Sequence, residues 1–253
     1  MKSAAGCTPP AFPIRTDPMD YFADLHIHSC LSPCGDDDST PCNICGMAKI
    51  KGLDIIAITD HNTARNLPAA QEVCDAYGLL LVPGMEITTK EEVHLLGYFP
   101  ELQAALEFGE MLREHLPQKK NKPSFFGNQR VMNSDDEIIA EEDALLIGAT
   151  DFSLSQATRR VEAFGGVPVP AHINRGSHGL LINLGFMPQD YFYPTVEVWR
   201  HLPCDEGALT GRHVLHSSDA HYLGDIQEKE HALRLSHRTV GDLLAWMRSK
   251  KDI

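Results

Sequence analysis

Residues 21–29 read Tyr-Phe-Ala-Asp-Leu-His-Ile-His-Ser. The aromatic and branched residues of 21–27 predict a short buried strand, and the polar residues that follow end it. Alternate side chains of a strand point the same way, so His26 and His28 present both imidazoles to one side, where a single ion can meet them. One His-x-His is a common pattern with no site behind it. Its meaning depends on how the other strands end.

Most of them end alike. Segment 53–59 closes on Thr59-Asp60-His61, segment 79–87 on Gly84-Met85-Glu86, and segment 167–173 on Ala171-His172-Ile173. Segment 213–218 runs into Ser218-Asp219-Ala220-His221, which repeats the i, i+2 spacing. Segment 93–99 differs because His94 stands near its start, which requires a bend or a strand of opposite direction. Segment 195–199, Thr-Val-Glu-Val-Trp, completes seven predicted strands.

Helices are predicted between them. Thr40-Pro41 is an N-cap followed by proline in the first turn, opening a helix that ends near Gly52. Residues 67–77 form the next, closed by Gly78, and 101–116, 135–148, 153–164 and 239–250 follow. Strands alternating with helices favour an α/β barrel or a doubly wound sheet. A length of 253 residues suits one barrel, which takes about 250. We therefore expect an N-terminal extension over 1–20 and a single domain over 21–253, with 101–160 as an insertion too short for a second core.

The formal charge of −13 argues against a broad basic footprint for duplex nucleic acid but leaves room for a small anionic substrate at a locally positive site. No apolar run approaches the ~20 residues needed to span a bilayer, so no membrane partner and a cytoplasmic location are expected. Seven irregularly spaced cysteines do not form a secreted disulfide framework.

A parallel barrel gathers the C-terminal ends of its strands at one rim. Six histidines and two acids brought there exceed one ion's coordination sphere, which points to two or three cations. Taken in order, His-x-His after a strand, Thr-Asp-His, the Glu of Gly-x-Glu, Val-His-Leu-Leu-Gly, Pro-Ala-His and Asp-x-His resemble the PHP (polymerase and histidinol phosphatase) family. The likeness spans about residues 22–225.

The resemblance implies an α/β fold, a distorted seven-stranded TIM-like barrel with a helical insertion, and a metal centre that hydrolyses phosphoesters. Carried over, His26, His28, Glu86 and Asp219 would hold one ion, and Glu86 would bridge to a second held by His94 and His172. His61 and His221 would hold a third with a ligand from the loop after His28. Many members place His or Asp in that loop; this chain reads Cys34-Gly35-Asp36-Asp37-Asp38, with Asp36 favoured and Cys34 the alternative. The implied ions are divalent Zn, Mn or Fe.

The expected activity is hydrolysis of a small phosphomonoester by a metal-activated hydroxide. The alternatives are a phosphodiesterase or exonuclease acting on nucleotides or oligonucleotide ends, and a non-catalytic module. Asp24 and Asp60, beside ligand motifs, are expected to orient imidazoles. Arg175, three residues after His172, is the expected phosphate ligand because its planar fork binds two oxygens; Arg130 and Arg200 are weaker candidates. Cys30, Cys34, Cys42 and Cys45 could together hold Zn or an iron–sulfur cluster, although Cys42 and Cys45 at i, i+3 of a helix also read as ordinary buried residues.

Overall fold

The computed structural model describes residues 17–251. Most of the expected extension over 1–20 lies outside them. Strand β1 (Met19–Ile27) is followed by α1 (Pro41–Ile50), β2 (Ile55–Ile58), α2 (Leu67–Tyr77), β3 (Leu80–Leu81), β4 (Gly84–Thr88) and β5 (His94–Tyr98). The middle of the chain holds α3 (Leu102–Arg113), α4 (Pro123–Phe126), β6 (Arg130–Met132), β7 (Ile138–Glu141) and α5 (Leu154–Ala163). Then come β8 (Val167–Pro170), α6 (Leu180–Asn183), β9 (Thr195–Glu197), α7 (Glu206–Leu209), β10 (His213–Leu215), β11 (Ala232–Leu235) and α8 (Val240–Arg248).

Local chemistry sets the boundaries. Thr40 caps α1 by accepting from the Asn43 amide at 3.2 Å, a contact of about 1 kcal/mol. Helix α2 stops at Gly78, whose φ of 69° carries no steric penalty only because the residue lacks a Cβ. Ser153 and Gln156 form a reciprocal capping box at the start of α5.

The strands surround a shared interior. Leu25 of β1, Ile55 and Ala57 of β2, Leu96 and Tyr98 of β5, Val167 and Val169 of β8 and Leu215 of β10 pack into one apolar cluster, closed below by Leu243 and Met247 of α8. The intervening residues Ile56 and Ile58 point outward to Ile44 and Ala48 of α1 and Ala70 and Val73 of α2. Burial of β2 on both faces is what a parallel strand between a core and a helical layer requires.

The expected α/β architecture is present, but a closed seven-stranded barrel is not found among the described residues. Hydrogen bonding divides the strands into β11-β1-β2-β3, β4-β5-β8, β9-β10 and the hairpin β6-β7. The first parallel run breaks at Val82-Pro83, after a two-residue β3. Strand β8 is Val-Pro-Val-Pro. The Ala171 amide donates to His94, so the valines of β8 face β5, and the edge towards β9 carries Pro168 and Pro170, which have no N–H to give.

Strand β5 runs antiparallel to β4 and β8. That direction resolves the odd position of His94: the start of β5 lies beside the ends of its neighbours. The helix expected over 135–148 is replaced by β7 and irregular chain. Asn133 Oδ1 accepts from the amides of Asp135 and Glu137, forming a turn that folds β7 back on β6. Ile138 and Ile139 are both exposed, so no apolar face was available to hold a helix. No helix of the described residues is long and apolar enough to cross a membrane.

Candidate metal centre

Glu86, in the middle of β4, is the hub. Its Oε1 lies 3.3 Å from His26 Nε2, 2.7 Å from His94 Nδ1 and 3.2 Å from His172 Nε2. Its Oε2 lies 3.3 Å from His28 Nε2 and 3.1 Å from His61 Nδ1. Asp219 Oδ1 approaches both His26 Nε2 at 3.3 Å and His28 Nε2 at 3.2 Å, and those two nitrogens are 3.2 Å apart. Donors bonded at ~2.0–2.1 Å to one tetrahedral ion stand about 3.3 Å from each other, so His26, His28 and Asp219 have the spacing of three members of such a shell, with Glu86 beside them.

Hydrogen bonds on the far sides of the rings aim them. His26 Nδ1 donates to Glu197 Oε2 at 2.9 Å, His28 Nδ1 to Ser32 Oγ at 3.0 Å, and His221 Nδ1 to the Asp219 carbonyl at 2.8 Å. Each leaves the Nε2 lone pair for the cluster. Ser32 Oγ donates to Asp60 Oδ1 at 2.7 Å, and Asp60 also accepts from the amide and hydroxyl of Ser29. Asp60 therefore reaches His28 only through Ser32, with no direct contact to an imidazole ring. Asp24 touches no imidazole: it accepts from the amides of Ser218 and Gln227 and braces the chain that presents Asp219.

The arrangement is costly without a positive charge. His94 Nδ1 and Nε2 and His61 Nδ1 are buried with no hydrogen-bonded partner, although Glu86 is close to both rings. His172 and Asp219 occupy left-handed backbone at φ 27° and 52°, a conformation that costs ~1–3 kcal/mol at a non-glycine residue. Orphaned ring nitrogens converging on an anionic hub are the donor set that a borderline divalent cation satisfies.

Charge in the cluster divides in a definite way. Burial opposes a proton on His26, but Glu197, Glu86 and Asp219 outweigh it and hold its pKa well above the ordinary value. Burial is likewise overcome at His28, whose hydrogen bonds to the Asp219 and Glu86 carboxylates raise it to about 9. Burial and neighbouring imidazoles keep His61 and His94 below their usual values and His221 at about 4. Glu86 and Asp219, despite burial, are held well down by the surrounding histidines.

The loop after His28 corrects one expectation. Cys34, not Asp36, joins His28, His61 and His221 in a group whose ligand atoms all lie within 4.8 Å of one another. Asp36 turns its carboxylate to the Asp38 amide at 2.9 Å. The remaining expected residues His26, His28, His61, Glu86, His94, His172, Asp219 and His221 converge on one place.

A cavity of about 120 Å³ opens over the cluster, lined among others by Cys34, Ile147, Arg175, Ser177 and His178. Arg175 ion-pairs with Asp219 and lies over the Trp199 ring at 4.9 Å. Arg130 and Arg200 pair with Asp37 and Glu230 instead. Sequence reasoning missed Glu197 and Ser32 and gave no role to His178, which it placed near the rim; the His178 ring stacks on His94 at 4.3 Å while Nδ1 donates to the Glu92 carbonyl. A carboxylate inside the apolar strand 195–199 was the available signal for Glu197. The four-thiol site does not form: Cys30 and Cys42 bond to the carbonyls of Arg130 and Ser134, and Cys45 sits 3.4 Å from Cys74.

An α/β fold that converges imidazoles and carboxylates on one cavity is an arrangement that metal-dependent hydrolases use. The chain belongs to the PHP domain family, whose profile matches residues 24–162. It is 39% identical over 85 residues to an uncharacterized protein of Methanocaldococcus jannaschii, covering 30% of this chain and 49% of that protein. It is 30% identical over 99 residues to a 5'-3' exoribonuclease of Haemophilus influenzae, covering 36% and 35%. The matches span about half or less of these relatives.

Among solved structures, a lesion-specific endonuclease from Pyrococcus furiosus superposes with a TM-score of 0.67 at 18% identity, covering 91% of this chain and 56% of that one. A putative metal-dependent phosphoesterase from Bifidobacterium adolescentis gives 0.58 at 20% identity, covering 91% and 98%. At these identities the likeness is one of fold.

Proposed function

We propose that this chain hydrolyses a phosphoester at a cluster of two or three divalent ions. His26, His28, Glu86 and Asp219 would hold one, Glu86, His94 and His172 a second, and His61, His221 and Cys34 a third, with Glu86 close to all three sets. Such ions supply the Lewis acidity that polarises a phosphoryl group and makes water nucleophilic near neutral pH. The observation that carries the reading is the placement of both Glu86 oxygens within 3.3 Å of ring nitrogens from five histidines.

The small cavity favours a terminal phosphate, hence a phosphomonoester. Arg175 on its wall would bind the phosphate oxygens through its fork. His178, whose Nδ1–H is committed to the Glu92 carbonyl, would protonate the departing oxygen from Nε2 only as an imidazolium. Residues 21–253 act as one unit, with the insertion 101–160 facing the substrate. Phosphate release from p-nitrophenyl phosphate with Mn or Zn, compared with bis-p-nitrophenyl phosphate and a labelled oligonucleotide, tests this. No turnover of any of the three by protein carrying bound metal would overturn it.

One observation favours a second reading, cleavage at a nucleic-acid end. Lys119, Lys120 and Lys122 line an open hollow of about 530 Å³ with Phe125, Phe126 and Leu145, and Phe125 is 77% exposed. Leu145 stands two residues before Ile147, which lines the metal cavity. Cations beside an exposed aromatic ring hold a single strand by its phosphates and by stacking worth ~1–3 kcal/mol per base. If this reading holds, Phe125→Ala raises KM for the oligonucleotide and leaves that for p-nitrophenyl phosphate unchanged.

A further inference from the structure

We infer that Cys34 is a thiolate ligand that makes one position of the metal cluster chemically unlike the others, selecting zinc or cobalt over manganese there. The inference rests on the metal-dependent reading above and concerns which cation this chain's own residues choose.

The geometry begins with the loop. Ser32 is tied to Asp60 through its hydroxyl, and the Asp36 amide donates to the His221 carbonyl at 2.8 Å. Cys34 lies between these anchors. The turn is tight enough that a Cβ on Gly35 would stand 2.3 Å from the Ser29 carbonyl oxygen, so position 35 must be glycine for the chain to pass. From the outside, Gly127 of the insertion packs so closely on Pro33 that its own absent Cβ would meet the Pro33 oxygen at 2.1 Å. The thiol is thus held over the cluster by contacts on both flanks.

Its partners are those of a cation and not of a hydrogen bond. The thiols of Cys30, Cys42 and Cys45 each reach a backbone carbonyl, at 3.8, 3.0 and 3.8 Å. The Cys34 thiol has no hydrogen-bonded partner among the described residues, and its sulfur is grouped with ring nitrogens of His28, His61 and His221. The far nitrogens of His28 and His221 are already committed to Ser32 and to the Asp219 carbonyl, so each ring has one nitrogen left for a cation. With the free nitrogen of His28 taken by the Asp219 and Glu86 side of the cluster, the imidazoles of His61 and His221 and one sulfur remain as a zinc-type set, whereas that other side offers the oxygen ligands that manganese accepts equally well.

Cobalt replacement reads this directly. Protein stripped with chelator and reloaded with cobalt should show a thiolate-to-cobalt charge-transfer band in the near ultraviolet. Cys34→Ser should lose the band and one bound ion, while Cys30→Ser retains both. Cys34→Asp should keep the ion count, lose the band, and reduce the preference for zinc over manganese at that position about tenfold or more. X-ray absorption of zinc-loaded unmodified protein should contain a sulfur shell near ~2.3 Å, which needs no variant to fold.

A wild-type spectrum with cobalt bound but no charge-transfer band, or a band that survives in Cys34→Ser, overturns the inference and leaves the metal centre standing. Failure of the unmodified protein to bind any cobalt, zinc or manganese overturns both.

Discussion

Glu197 and His26 form a buried carboxylate–imidazole pair, Oε2 to Nδ1 at 2.9 Å, and the same oxygen accepts the His172 amide at 3.0 Å. One side chain thus sets the ring of one candidate ligand and the backbone of another. Partners of this kind are worth about 10–100-fold in metal affinity when removed. Glu197→Gln should weaken binding at the His26 position by about tenfold, measured by competition with a chromophoric chelator, with the far-ultraviolet circular dichroism unchanged. Equal affinity in the variant would mean that the pair serves folding only.

The candidate ligands were legible because they close or open apolar runs: His26, His28, His61, Glu86, His172, Asp219 and His221 needed only strand alternation and a common rim. His94 needed the direction of β5, which pairing partners decide and local sequence does not. Cys34 was harder still. It and Asp36 are two residues apart in a polar loop with no period, and the choice is made by the Asp60–Ser32 anchor and the Gly35 turn, both tertiary. The strand β11 and the hairpin β6–β7 were missed for a related reason, since β7 and β11 are short and largely exposed and β6 has only three residues, so none carries much hydrophobic pattern.

Metal removal should cost stability. His61 and His94 bury unpartnered ring nitrogens beside the Glu86 carboxylate, and cations present at about 1,000 times their dissociation constant would stabilise the fold by roughly 4 kcal/mol. For a chain of this size that corresponds to a thermal midpoint lower by about 10 °C after chelation. Calorimetry of chelated and reloaded protein measures it. A midpoint indifferent to zinc and manganese would count against the cluster.

Ser32 tests the relay to His28. Its hydroxyl donates to Asp60 and receives both His28 Nδ1 and the His61 amide, so Ser32→Ala leaves three buried polar groups short of a partner. The expected loss is about 1–3 kcal/mol of stability together with weaker metal binding. Ser32→Thr keeps the hydroxyl and should recover most of the affinity. Urea titration and metal competition on the two variants separate folding from orientation.

Glu142 gives a pH signature away from the metals. It is buried, and although burial alone would raise its pKa, the Ala144 amide and the guanidinium groups of Arg113 and Arg65 at 2.7 and 2.8 Å hold it below the ordinary carboxylate value. Stabilisation by a depressed carboxylate is present above the unfolded value near ~4.5 and disappears as pH falls through the folded value. Both arginines are partly exposed, so the contribution is about 1 kcal/mol. Thermal midpoints recorded downward from pH 6 should fall less steeply in Glu142→Gln than in the unmodified protein, and parallel curves would refute the assignment.

Arg175 is the proposed phosphate ligand beside the cluster. Its guanidinium pairs with Asp219 and rests on Trp199, a cation–π contact of ~0.5–2 kcal/mol that keeps the fork at the cavity wall while 36% of the side chain is exposed. Arg175→Ala removes a ground-state contact to phosphate, so KM for a phosphomonoester should rise about tenfold, with a smaller change in kcat. Arg175→Lys keeps the charge but not the planar fork and should recover only part of the loss. Trp199→Leu, which leaves the charge and removes the ring beneath it, should raise KM in the same direction. An unchanged KM in Arg175→Ala on a substrate that the protein turns over would exclude the residue from phosphate recognition.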